Sequence, residues 1–183
     1  MCGISAIITK SGGGKESPKE MEALLAKISH RGESKKEYAV FGGHSLGCVR
    51  LKIVDRDNSQ QPILNEDATI AVVFNGEIYN YRALKDDLEK KGHQFKTGGD
   101  TEVIVHLFEE YGREMIFLLK GMFAFIILDI KNNRFIAARD FFGVKPLHYC
   151  HSPDKTYFSS ELKSFLQLPV EEYLEIPPCL LYT

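Results

Sequence analysis

The sequence predicts an α+β fold in which two antiparallel β-sheets stack face to face with helices outside. Two observations carry this. Strand-like runs come in groups with amphipathic helical runs between them, a pattern that segregates sheets from helices rather than alternating them. The run from Met122 to Asp129 is also almost continuously apolar, so the strand it forms must be covered on both faces. In order along the chain, Gly3 to Thr9 is β-branched and ends at the flexible turn Ser11-Gly12-Gly13-Gly14. After Pro18, Met21, Leu24, Leu25 and Ile28 recur at helical spacing with Lys and Glu on the other face. Tyr38 to Ile53 reads as two strands around Gly42-Gly43, and Thr69 to Phe74 as a buried strand ending at the turn dipeptide Asn75-Gly76. Helices are expected at Tyr81 to Lys91, at Asp100 to Tyr111 with Asp100 as N-cap, and at Arg113 to Lys120. Asn132-Asn133 joins Met122–Asp129 to Arg134–Arg139 as a hairpin, and Ser152-Pro153-Asp154 separates two further strands holding Tyr149 and Tyr157.

Composition bounds the function. The 183 residues carry 23 Lys+Arg against 25 Asp+Glu, a net charge of −2 with both signs interspersed, so no basic surface for nucleic acid or anionic membrane is implied. The longest apolar run is too short to span a bilayer and no secretory signal opens the chain, which points to the cytoplasm. Residues 1–183 are expected to form one domain, with an exposed tail from about residue 169 and with no cofactor motif. Cys2, Cys48, Cys150 and Cys179 lie far apart, so free thiols are expected rather than a disulfide framework.

Three features carry chemistry. Removal of Met1 would leave Cys2 with a thiol and an α-amine on one residue, two groups whose ordinary pKa values are about 8.5 and 7.7–8.0, so nucleophile and base would coincide. Its plain alternative is a cysteine at a disordered end. Asn75-Gly76 can present a side-chain amide and a backbone N–H to one developing negative charge, or can simply turn the chain. Arg50 matches an α-carboxylate, and Glu77 and Asp100 match an α-ammonium group, so together they suit an amino-acid substrate, although surface solvation would also explain such charges. Two other patterns fail on spacing. Ser11–Lys15 lacks the first Gly and the final Ser/Thr of a phosphate loop, with Thr9 and Glu16 in those places. His148, Cys150 and His151 do not share one strand face and lack a fourth ligand, so no metal site is expected.

Taken together, Met1-Cys2-Gly3-Ile4, His30-Arg31-Gly32, Arg50 to Asp55, Gln61-Pro62, Phe74 to Asn80, Gly99-Asp100-Thr101-Glu102, Gly121 to Phe125, Arg139-Asp140 through Gly143 to Pro146-Leu147, and Ser160 to Lys163 resemble the glutaminase domain of class II glutamine amidotransferases, most of all that of asparagine synthetases. The resemblance implies a four-layer α/β/β/α sandwich of the N-terminal nucleophile hydrolase type. It also implies L-glutamine as substrate, Cys2 as nucleophile, Asn75 and Gly76 as oxyanion donors, and Arg50, Leu51, Ile53, Val54, Glu77, Gly99 and Asp100 as the glutamine pocket. Ammonia would pass to an ATP-dependent synthetase chain, for which this sequence holds no Ser-Gly-Gly-x-Asp-Ser loop, and a homo-oligomer is compatible. Other acceptors in related proteins are sugar phosphate, phosphoribosyl or oxoglutarate chemistry, and a non-catalytic glutamine-binding module retaining Met1 is the alternative of another class. The chain departs from the family with Glu33-Ser34 where Pro-Asp is usual and with Cys179 where Gly is usual.

Overall fold

The computed structural model describes residues 1–10, 18–33, 37–51, 58, 60–168, 170, 173–177 and the backbone of 181–182. The glycine-rich segment at 11–15, Ser34, Ile53, Val54 and Cys179 lie outside the described residues. The chain opens with β1 (Gly3–Thr9), whose seven residues are all buried, and α1 (Pro18–Lys27), which presents Met21, Leu24 and Leu25. A hairpin of β2 (Glu37–Phe41) and β3 (His44–Val49) turns at Gly42-Gly43, where both glycines have positive φ. Then follow β4 (Ile63–Leu64), β5 (Ile70–Ile78), α2 (Tyr81–Lys90) and α3 (Glu102–Tyr111). The rest is β6 (Gly121–Asp129), β7 (Arg134–Arg139), β8 (His148–His151), β9 (Lys155–Ser159), β10 (Tyr173–Glu175) and β11 (Leu181–Tyr182).

Among the described residues these strands form two wholly antiparallel sheets, one in the order β10-β8-β9-β1-β3-β2 and the other β11-β7-β6-β5-β4. Strand alternation sorts the apolar residues into three layers. Ile4, Ala6, Ile8 and Leu46 of the first sheet meet Ala71, Val73, Ala124, Ile126 and Ala137 of the second, and the many alanines let the sheets approach. The residues of opposite parity face outward: Ile7, Val49 and Tyr157 take α1, while Val72, Phe74, Phe125 and Ile127 take α3 through Val103, Ile104 and Leu107. The result is the helix–sheet–sheet–helix order expected for the α+β sandwich.

Three local expectations need correction. Asn75-Gly76 does not end a strand: β5 continues to Ile78, paired residue by residue with β6 as Asn75↔Ala124, Gly76↔Phe123 and Ile78↔Gly121. Asp100 does not cap α3, which starts after Thr101 without a side-chain cap. The segment after α3 is a 3-10 helix, Gly112–Leu118, rather than an α-helix. The tail is exposed at Tyr173–Glu175, where it pairs with β8, and Ile176 after it is fully buried.

The close approach of β5 and β6 explains why glycine stands at Gly76 and Gly121. A Cβ on Gly76 would lie 2.2 Å from the Met122 carbonyl oxygen, and one on Gly121 2.1 Å from that of Glu77. Gly121→Ala would therefore wedge the two strands apart against backbone, which cannot swing away. We expect it to cost at least about 2 kcal/mol, the middle of the overpacking range, and to lower the melting temperature by about 4–8 °C in circular dichroism.

Candidate active site

The parity that builds the core also gathers the reactive side chains. On β1, Ile4, Ala6 and Ile8 face the space between the sheets, so Cys2 extends that series and packs against the same residues. On β3 the series Leu46 and Cys48 leads to Arg50, and on β5 the series Ala71 and Val73 leads to Asn75 and Glu77. Cys2, Arg50, Asn75, Gly76, Glu77 and Asp100 line one cavity of about 170 Å³ at the end of the sandwich. Drug-sized pockets usually run from about 300 Å³ upward, so this one suits a ligand of amino-acid size.

Backbone directions on β5 define the donor geometry. Phe123 exchanges both of its backbone hydrogen bonds with Asp140, its N–H going to Asp140 Oδ2 at 3.2 Å and its carbonyl accepting the Asp140 N–H at 2.8 Å. The opposite residue, Gly76, is thus at a position of the ladder whose N–H points away from β6, towards the β4 edge. On that edge the Phe74 N–H donates to Gln61 Oε1 at 2.6 Å and the Ile78 N–H to Asp100 Oδ2 at 2.9 Å. Side chains therefore satisfy the groups on either side of Gly76, whose own N–H projects between them where the residue lines the cavity. Beside it, Asn75 Nδ2 is buried and has no hydrogen-bond partner among the described residues. A buried donor left unpaired costs about 1–3 kcal/mol, and such a group is retained where a ligand supplies the missing acceptor.

Cys2 lines the same cavity as these donors. The Leu51 N–H donates to Cys2 Sγ at 3.4 Å. A hydrogen bond from Cys48 holds the Cys2 thiol well below its ordinary value, to about 6, against the opposing effect of burial, with the Leu51 N–H, the terminal amine and Arg50 helping. Cys48 moves the opposite way because its proton is the one donated and because it is buried. Burial and the adjacent Glu77 charge push the Asp100 carboxyl up, although the Ile78 N–H and Arg50 oppose them. Two carboxylates that repel each other in a partly dry cavity form a place for an ammonium group.

The arginine of His30-Arg31-Gly32 fixes the chain terminus. Its Nε donates to the Cys2 carbonyl at 3.0 Å and its Nη1 to Glu161 Oε1 at 2.8 Å. Glu161 also meets Lys163 at 3.0 Å, and although burial opposes ionisation, these partners hold its carboxyl at about 2. Gly32 then lies so close to Arg50 that a Cβ would be 2.5 Å from the Arg50 carbonyl oxygen. A second scaffold is Arg139-Asp140: Arg139 binds the carbonyls of Gly143, Lys145 and Ile176, and Asp140 accepts the N–H groups of Phe142, Val144 and Lys145. This loop delivers the buried Lys145 to the cavity, where its Nζ lies 3.2 Å from Met1 Sδ.

Of the expected pocket residues, Leu51 lines the cavity, whereas Gly99 does not and instead lies buried in the bend before Asp100. Ile53 and Val54 fall outside the described residues. Gln61, Thr101, Met122 and Lys145 line the cavity without having been singled out. Gln61, Thr101 and Met122 belong to recognised motifs, and Lys145 follows Gly143 within another, but a motif does not reveal which of its members face inward.

Cys2 thus lies between the two sheets and lines one cavity with Asn75 and Gly76 and with the charged residues Arg50, Glu77 and Asp100. The chain belongs to the glutamine amidotransferase domain family, whose model matches residues 1–177. It is 41% identical over 184 aligned positions to asparagine synthetase [glutamine-hydrolyzing] 3 of Arabidopsis thaliana, covering 100% of this chain and 31% of that one. A probable asparagine synthetase [glutamine-hydrolyzing] of Dictyostelium discoideum is 42% identical over 166 residues, 90% of this chain and 30% of the relative. The chain thus spans about a third of the length of these curated relatives. Among solved structures, glutamine phosphoribosylpyrophosphate amidotransferase from B. subtilis superposes with a TM-score of 0.76 at 26% identity, over 97% of this chain and 46% of that one. No helix among the described residues is long and apolar enough to cross a membrane.

Proposed function

We propose that this chain hydrolyses the side-chain amide of L-glutamine to glutamate and ammonia. The observation that carries the reading is the unpaired, buried Asn75 Nδ2 beside the Gly76 N–H in a cavity that also holds Cys2. Once Met1 is removed, the Cys2 α-amine accepts the thiol proton and the sulfur attacks the δ-carbon of the amide. The carbonyl oxygen becomes an oxyanion held by Asn75 Nδ2 and the Gly76 N–H. Collapse of that intermediate breaks the C–N bond, the amine returns the proton to the nitrogen, and ammonia leaves a γ-glutamyl thioester. Water, deprotonated by the same amine, cleaves the thioester and regenerates the thiol. Arg50 pairs with the substrate carboxylate, and Glu77 and Asp100 hold its ammonium group.

The ammonia acceptor we propose is an ATP-dependent synthetase, on the grounds that the asparagine synthetase relatives are about three times as long as this chain. Phe117 and Phe141, 79% and 68% exposed, line a shared hollow, and Phe142 and Tyr79 add further apolar surface that a partner would cover. The decisive experiment is incubation of the processed protein with L-glutamine, with glutamate release measured and Cys2 challenged by a glutamine-like electrophile. Release of glutamate and alkylation at Cys2 are expected. Neither release nor labelling, or an intact Met1 in protein from its natural source, would overturn the reading.

The raised Asp100 pKa gives a pH signature. Protonation removes the negative charge that holds the ammonium group, so kcat/KM for L-glutamine should fall on acidification at a higher pH than an ordinary aspartate would dictate. Asp100→Asn should raise KM by about 10–100-fold, the worth of a charged hydrogen bond, and abolish that acid limb.

A further inference from the structure

At the far end of β5 from the catalytic cavity, four side chains distant in sequence converge. Glu66 comes from the turn between β4 and β5, His93 from the connection between α2 and α3, and His106 and Glu109 from α3 itself. We propose that Glu66, His93, His106 and Glu109 form a zinc site that pins these three segments together.

The distances fit a tetrahedral ion. His93 Nδ1 lies 3.2 Å from Glu66 Oε1 and 3.7 Å from Glu109 Oε2, and His106 Nδ1 lies 3.3 Å from Glu66 Oε2 and 3.2 Å from Glu109 Oε2. All four donor atoms fall within 4.8 Å of one another. Zinc bonds of about 2.0–2.1 Å require ligand separations of about 3.3–3.4 Å along the edges of a tetrahedron, so little movement is needed.

The surroundings are arranged as a metal site needs. Both histidines direct Nδ1 inward, and each opposite ring nitrogen faces a carboxylate: His93 Nε2 lies 3.3 Å from Glu110 Oε1 and His106 Nε2 3.7 Å from Glu102 Oε1. Zinc would displace the proton from each Nδ1, which Glu66 and Glu109 also face, and the carboxylates at Nε2 would then hold the remaining ring proton. His106 is fully buried; its Nδ1 lies within hydrogen-bond distance of Glu109 Oε2, and its Nε2 has no partner within 3.5 Å among the described residues, the Glu102 carboxylate being the nearest acidic group at 3.7 Å. The acidic ligands are held as well, Glu109 by Asn65 Nδ2 at 2.9 Å and Glu66 by the Gln94 N–H at 2.9 Å. Glu66, Glu102, Glu109 and Glu110 face the cluster, against which Lys91 alone, paired to Glu110, supplies a fixed positive charge among these contacts. The balance calls for a further cation. With four protein ligands in place the site is structural rather than catalytic. It was not legible in the sequence because its members come from three separate segments and only the His106 and Glu109 pair shows ligand spacing.

Protein stripped with a chelator and titrated with zinc in equilibrium dialysis should take up one ion per chain and melt at a higher temperature. Cobalt should give visible d–d bands without the thiolate-to-metal charge-transfer absorption that binding at Cys2 or Cys48 would produce. Glu110→Gln should weaken zinc binding by about 10–100-fold, the usual cost of losing an outer carboxylate, and His93→Gln and Glu109→Gln should each weaken it further. Absence of zinc uptake at micromolar free metal would show that protonated histidines alone balance the carboxylates and would overturn the proposal. So would undiminished binding by His93→Gln, or a cobalt spectrum dominated by thiolate ligation. The cobalt spectrum is read on the unaltered protein, so the test stands even if a variant fails to fold.

Discussion

Cys2→Ala is expected to lower kcat for L-glutamine by at least about 10⁴-fold while leaving the dissociation constant for the amino acid nearly unchanged. The expectation separates chemistry from binding because the two are held by different strands. Arg50, Glu77 and Asp100 reach the cavity from the residue after β3, from β5 and from the segment before α3, and the sulfur bonds the Leu51 backbone rather than any of these three side chains. A companion measurement tests the cause of the reactivity. Alkylation of Cys2 should be half-maximal near pH 6, since the thiol is held at about that value. Cys48→Ala removes the largest stabilising hydrogen bond, so the same profile should move towards the ordinary thiol range, while Cys48→Ser retains a donor and should move it less. Binding lost together with turnover in Cys2→Ala would show that the cysteine is part of the recognition surface rather than its reagent.

The fold was legible where burial has a period. α1 and α2 show helical spacing in their apolar residues, β1 and β6 show short apolar runs that only a strand covered on both faces explains, and the β2–β3 and β6–β7 turns carry Gly or Asn. What misled was local chemistry overruled by tertiary contacts. Asn-Gly after a β-branched run is a strong hairpin signal, yet β5 runs straight through it because β6 lies alongside and because Gln61 and Asp100 bond its free edge. Asp100 precedes a helix and reads as a cap, but its carboxylate is engaged by the Ile78 N–H instead. The tail from about residue 169 reads as a surface segment because its apolar residues show no sustained period among prolines and glutamates, and nothing local shows that Arg139 will bind the Ile176 carbonyl. For the site, the sequence showed which residue types were present. Only the parity of β1, β3 and β5 shows that Cys2, Arg50, Asn75 and Glu77 share one layer, and that required knowing that these strands face each other.

Asn75→Ala is expected to lower kcat by about 10²–10³-fold with little change in KM, the cost of one oxyanion donor. Its effect on stability distinguishes this role from a structural one. Asn75 Nδ2 makes no hydrogen bond to any of the described residues, so its removal deletes no bond made to them and relieves the penalty of an unpaired buried group. The melting temperature should therefore fall much less than for Gly121→Ala, which disturbs the same strand pair through backbone contact alone. Asn75→Asp sharpens the comparison. It preserves shape and replaces a donor by a negative charge next to the developing oxyanion, so its kcat should be as low as that of the alanine variant or lower. A kcat for Asn75→Asp near that of the parent, or a large loss of stability in Asn75→Ala with turnover retained by the folded fraction, would show that the amide serves the strand and not the reaction. A donor kept unpaired inside an otherwise well-bonded sheet is an expense that only the transition state can repay, and the two variants measure each side of it separately.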